Sequence, residues 1–163
     1  MQIEAQKTKA KTESSGLLLR DYRAEDFETL WRIDQECFPP GIAYPREELA
    51  YYLGQRNAFA MVAEQEGGIA GFIVAEHLRK GAGHIITLDV REAVRRAGLG
   101  SQLMRAAEER LGAAGCHVVF LETAVDNPAA LAFYKRHGYS VLRTLPRYYP
   151  GSLDGLRMEK RLA

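Results

Sequence analysis

Val90-Arg91-Glu92-Ala93-Val94-Arg95-Arg96-Ala97-Gly98-Leu99-Gly100 closes an apolar run and opens a helical one, with two arginines and two glycines at the junction. The first turn of a helix leaves backbone N–H groups unpaired and carries a partial positive charge, and glycine admits a ligand close to the backbone. The stretch therefore reads as an anion site in outline, with Arg95 and Arg96 adding charge-assisted contacts. It is not the P-loop, which places a lysine after its last glycine, nor the dinucleotide pattern Gly-x-Gly-x-x-Gly. Without further context the same residues also describe a solvated loop with a helix-start glycine.

Downstream, Leu99, Leu103, Ala107, Leu111 and Ala114 line one helical face that Gly115 closes, and His117 to Glu122 reads as a buried strand. Asn127 before Pro128 is a favoured cap followed by a favoured first-turn residue, which predicts a helix to His137 with Gly138 as its stop. Val141 to Tyr149 and Leu156 to Leu162 form a hairpin. Upstream, His84 to Val90 follows a turn at Gly81 to Gly83, and Ala58 to Ala63 and Ile69 to Ala75 flank Glu66-Gly67-Gly68. Leu17 to Tyr22 is a first strand. Phe27, Leu30, Trp31, Asp34 and Phe38 recur at helical spacing behind the acidic pair Glu25 and Asp26, and Pro45 starts a second short helix that ends near Gly54.

Lys plus Arg number 22 and Asp plus Glu 21, so no overall field draws the chain to nucleic acid or an anionic membrane. Cys37 and Cys116 stand alone, which argues against a disulfide framework and against a metal site, and a cytoplasmic location is expected. No apolar run approaches the ~18 residues of a membrane span. Met1 to Ser15 is polar and lysine-rich and is expected to be a disordered tail ahead of one domain, 16–163.

Arg95, Gly98 and Gly100 match the signature of the GNAT superfamily of N-acetyltransferases, which the chain resembles from Leu17 onward. The resemblance implies an α/β (α+β) fold, a mixed, mostly antiparallel twisted sheet of about seven strands flanked by about four helices. It also implies acetyl-CoA as cosubstrate and no metal. The backbone and side chains of Arg95, Arg96, Ala97, Gly98, Leu99, Gly100 and Ser101 would then cradle the pyrophosphate, Leu88 and Val90 would hydrogen-bond the pantetheine arm, and Asn127 would be a cofactor contact as well as a cap.

Leu121-Glu122, Asn127, Ala130, Tyr134, Gly138-Tyr139, Arg147-Tyr148-Tyr149-Pro150 and Asp154 look most like the RimI-type enzymes, which acetylate the N-terminal amine of a ribosomal protein. By that likeness Glu122 is the general base, with a pKa raised by burial, and Tyr134 donates a proton to the departing thiolate. Phe38, Pro39, Tyr44, Tyr148 and Tyr149 would wall the acceptor groove, although Phe38-Pro39-Pro40-Gly41 departs from the RimI pattern. The acceptor implied is a protein or peptide N-terminus; a small-molecule amine or a lysine side chain is the alternative, and a non-catalytic CoA-binding module the alternative of another class. The histidines read as structural, with His84 near enough to the central strands to approach the acceptor and His137 charged favourably at a helix C-terminus.

Overall fold

The computed structural model describes residues 16–163, so the stretch expected to be a tail, 1–15, lies outside it. Among the described residues one sheet of seven strands runs in the order β1-β2-β3-β4-β5-β7-β6. The strands are β1 (Leu17–Asp21), β2 (Ala58–Gln65), β3 (Gly68–His77), β4 (Ala82–Val90), β5 (Val118–Ala124), β6 (Ser140–Tyr149) and β7 (Leu153–Arg161). Four α-helices accompany them: α1 (Phe27–Cys37), α2 (Arg46–Leu53), α3 (Leu99–Ala113) and α4 (Pro128–Arg136). None is long and apolar enough to cross a membrane.

Two helices cover the sheet with apolar stripes, one on each face, while Ala114, expected on the stripe of α3, lies past its end and is exposed. Leu103, Met104, Ala107 and Leu111 of α3 pack on Ile73, Ile85, Val119, Leu121 and Met158 on one side. Leu30 and Ile33 of α1 pack on Val62, Phe72 and Val74 on the other. Burial of each of these side chains larger than alanine contributes about 1.5–3 kcal/mol. The acidic pair before α1 does something other than start that helix. Asp26 lies in a 3₁₀ turn, 24–26, and its carboxylate accepts both terminal nitrogens of Arg20 at 2.8 and 2.9 Å and the Arg23 N–H at 2.8 Å, which ties the turn to β1.

Two irregularities shape the site. β4 and β5 run parallel but pair only at Ala82–Val118, Gly83–Val119 and His84–Phe120, after which they part. On its other side β4 carries a bulge: Val74 faces Thr87 and Ala75 faces Ile85, which leaves Ile86 as the extra residue. The paired end of the fork is tightly built. Gly81, at φ +72°, passes so close to His117 that a Cβ there would lie 2.3 Å from the ring, and His117 N–H donates to Gly81 O at 2.8 Å.

Candidate active site

The arginine and glycine loop between β4 and α3 turns through left-handed backbone at Arg96 (φ +67°) and Gly98 (φ +83°), and α3 begins at Leu99. The N–H groups of Val94, Arg95 and Gln102 find acceptors at Arg91, Glu92 and Gly98. Those of Arg96 through Ser101 find none among the described residues, and open space lies in front of Gly98. A row of unpaired amides at a helix start is the arrangement that holds a phosphate. Arg95 turns partly inward, its Nε donating to Val90 O at 2.8 Å, and the Ser101 hydroxyl lies 2.8 Å from His137 Nε2.

Arg91 N–H donates to Ala70 O. By the alternation of an antiparallel ladder, Asp89 then faces β3, while Leu88 and Val90 turn their backbone groups toward the side that β5 has left. The Val90 carbonyl also receives the Cys37 thiol at 3.4 Å. On this side Val90 therefore offers its N–H, and Leu88 both groups.

Deeper in the fork four side chains form a chain of charge. His84 Nδ1 lies 3.1 Å from Glu76 Oε1, His84 Nε2 lies 2.8 Å from Glu122 Oε2, and Arg157 Nη2 donates to Glu122 Oε1 at 3.1 Å. The His84 ring stacks on Phe120 at 4.5 Å, and the Arg157 guanidinium covers Phe120 at 4.9 Å. Burial alone would raise the Glu122 pKa, but His84 and Arg157 outweigh it and hold the carboxyl below its usual value. For His84 burial pulls downward, and the two glutamates overcome it and raise the pKa.

The tyrosines gather around this chain. Tyr44 and Tyr52 meet edge to face at 5.8 Å, and Tyr148 and Tyr149 do so at 4.9 Å. Tyr52, Tyr148 and Tyr149 all lie within electrostatic reach of Glu122, and Tyr149 also within reach of Tyr134. Tyr134 projects from α4, its phenol pushed up by burial and by the Asp89 charge. Asn127 caps that helix, its Oδ1 accepting the Ala130 N–H at 3.1 Å. Asn127→Ala is expected to lower global stability by about 1 kcal/mol, read from the midpoint of urea unfolding.

Fold, loop and fork lead to one family. The Acetyltransferase (GNAT) family matches residues 27–139. The chain belongs to the GNAT acetyltransferase family. An uncharacterized N-acetyltransferase of Methanocaldococcus jannaschii is 32% identical to it, over 89% of this chain and 92% of that one. An N-alpha-acetyltransferase of Sulfurisphaera tokodaii is 26% identical, over 86% and 90%. The crystal structure of the ribosomal-protein-S18-alanine N-acetyltransferase of Escherichia coli shares the fold, with a TM-score of 0.81 at 20% identity, covering 90% of this chain and 94% of that one. The protein is thus a GNAT N-acetyltransferase, and enzymes of this family use acetyl-CoA.

Three expectations for this GNAT enzyme need correction. The Glu122 pKa is lowered, because the carboxylate faces two cationic partners that the sequence separates from it. His84 is not an isolated structural histidine but joins Glu76 to Glu122. His137 sits at the end of α4 as expected, yet burial, with Lys160, Arg105 and Arg136 nearby, lowers its pKa, so its charge is disfavoured. In the expected acceptor wall, Tyr148 and Tyr149 lie within reach of Glu122, and Tyr44 meets it only through Tyr52. Pro39 is exposed and spends its carbonyl on the N–H groups of Ile42 and Ala43, which makes it a turn residue, and Phe38 caps α1 half-buried.

Proposed function

We propose that this GNAT enzyme transfers the acetyl group of acetyl-CoA to the N-terminal α-amine of a protein or peptide. The observation that carries the reading is the half-buried His84–Glu122 contact deep in the fork, bordered by tyrosines. The kinship with an N-alpha-acetyltransferase supports the same acceptor class.

The row of amides from Arg96 to Ser101 holds the pyrophosphate, and the outward backbone groups of Leu88 and Val90 bind the pantetheine as a strand would. The amine attacks the thioester carbonyl, a C–N bond forms, and the C–S bond breaks. Glu122 receives the ammonium end of the acceptor. With His84, whose raised pKa brings it toward that of the amine, Glu122 takes the proton that must leave nitrogen. Tyr134, kept protonated by burial, supplies a proton to the departing thiolate. An α-amine, with a reference pKa of about 7.7–8.0 against about 10.4 for lysine, suits so modest a base.

The test is CoA-thiol release across short peptides with free and blocked N-termini, an alanine-started ribosomal-protein peptide among them, beside polyamines, aminoglycosides and free amino acids. Turnover on free peptide N-termini, abolished by blocking and reduced roughly 10²-fold by Tyr134→Phe, is the expected result. Turnover confined to a small amine would overturn the acceptor, and CoA binding without transfer to any acceptor would overturn the reaction.

A further inference from the structure

Asp34 and Asp89 have no part in the chemistry above, yet they are 0% and 1% exposed. Asp34 projects from α1 and Asp89 from β4, and their carboxyls lie within reach of each other. One oxygen of each has an ordinary donor: Asp34 Oδ2 accepts the Tyr44 N–H at 2.7 Å, and Asp89 Oδ1 accepts the Thr87 hydroxyl. The other two, Asp34 Oδ1 and Asp89 Oδ2, are buried with no donor. A hydrogen bond between carboxyl groups needs a proton on one of them, and two touching carboxylates out of water cannot both stay charged. One proton between them satisfies both orphaned oxygens.

Tyr44 is the residue so held. Beyond its N–H on Asp34, its carbonyl accepts Trp31 Nε1 at 3.2 Å and Gln35 Nε2 at 2.8 Å, and its hydroxyl donates to Ile86 O, at the bulge, at 3.2 Å. The loop that leaves α1 at Phe38 is thus fastened to α1 and to β4, and the Asp34–Asp89 pair joins the two fastenings.

We propose that Asp34 and Asp89 share a single proton and clamp the Phe38–Tyr44 loop against β4, which sets the width of the acceptor groove. This is a positioning role, and its link to the acceptor rests on the function proposed above. The groups that face the pair are Cys37 from α1, with its thiol pushed up to about 11, Tyr44 from the loop, Tyr134 from α4, and Arg95 from the turn after β4. Arg95 is the one cation among them, and its Nε is committed to Val90 O. Loss of the shared proton therefore leaves two adjacent carboxylates that repel. Because the pair holds its proton more tightly folded than unfolded, the stability it contributes is present at low pH and lost as pH rises through the folded value.

Trp31, the chain's only tryptophan, reports on the loop through its bond to Tyr44. The experiment compares wild type with Asp34→Asn and Asp89→Asn. In Asp34→Asn the amide offers an N–H to Asp89 and keeps an oxygen for Tyr44, so the contact survives without a proton to lose. Infrared difference spectra at neutral pH are expected to show a protonated carboxyl in wild type that vanishes in either variant. As pH is raised from neutral until that band is lost, Trp31 emission should shift to the red in wild type and stay fixed in Asp34→Asn. Relative to the variant at the same pH, the wild-type acceptor KM should rise about tenfold over that change, the tenfold being worth ~1.4 kcal/mol. Absence of the infrared band, or an Asp34→Asn protein whose Trp31 follows the wild-type pH dependence, overturns the clamp. If no peptide is acetylated, the proposed acceptor falls while the infrared and fluorescence measurements still decide the clamp.

Discussion

Glu122→Gln is expected to lower kcat on a peptide acceptor by roughly 10²–10³-fold while acetyl-CoA binding stays within about twofold of wild type. The amide fills the same volume and still accepts from Arg157 Nη2, so the fork keeps its shape. It cannot take a proton from the acceptor, and it no longer supports a charged His84. Steady-state kinetics beside equilibrium CoA binding separates these effects, and an unchanged kcat would remove Glu122 from the mechanism.

The substitution also has a signature in stability. The Glu122 pKa lies below its unfolded value of about 4.3, so its contribution is complete above that pH and fades as pH falls through the folded value. The His84 pKa lies above about 6.5, so its share is complete below that pH and fades as pH rises through the folded value. The Gln variant should lose the first dependence and keep only the part of the second that Glu76 supports, which thermal unfolding across pH reads directly.

Gly71→Ala is the second large effect, and it does not depend on the acceptor. Gly71 faces Val90 across β3 and β4, and a Cβ there would lie 2.6 Å from Asp89 O, 2.9 Å from Leu99 Cδ2 and 3.3 Å from the Val90 Cα. Two of these three atoms are backbone, so no rotamer change relieves the contact. A loss of about 3 kcal/mol is expected, as for strongly overpacked cores. The displaced atoms belong to the strand end and helix start proposed to hold acetyl-CoA, so its affinity should fall with stability. Urea unfolding and CoA titration on the same preparation test both; a variant as stable as wild type would mean that β4 yields freely at this point.

Much of the frame could be read along the chain, because its signals are local. Asn127 and Pro128 announce α4, Gly98 announces α3, and the apolar stripe from Leu99 to Leu111 identifies the buried face. Glu122 and Tyr134 could be proposed from resemblance to the family. The environment of Glu122 could not, since Glu76, His84, Glu122 and Arg157 come from four strands and meet only through register. The spacing puts Asp34 on the stripe of α1, but nothing along the chain pairs it with Asp89, because the two meet only when helix and strand are packed together. The need for glycine at position 71 is likewise invisible, because it arises from a backbone that comes close in space from nearly twenty residues away.

The fork between β4 and β5 also makes the molecule a mechanical device. The four strands β1 to β4 and the three strands β5 to β7 are two plates, joined within the sheet by three residue pairs at one end. From the last pair, at His84, to Val90 the free arm of β4 is about 20 Å long, so a rotation of only about 3° at the joint carries Val90 through ~1 Å. A misplacement of that size at a reacting centre can cost about 10²-fold in rate. Gly81 and His117, which pin the joint, would thereby set the alignment tolerance of the proposed acetyl-transfer site.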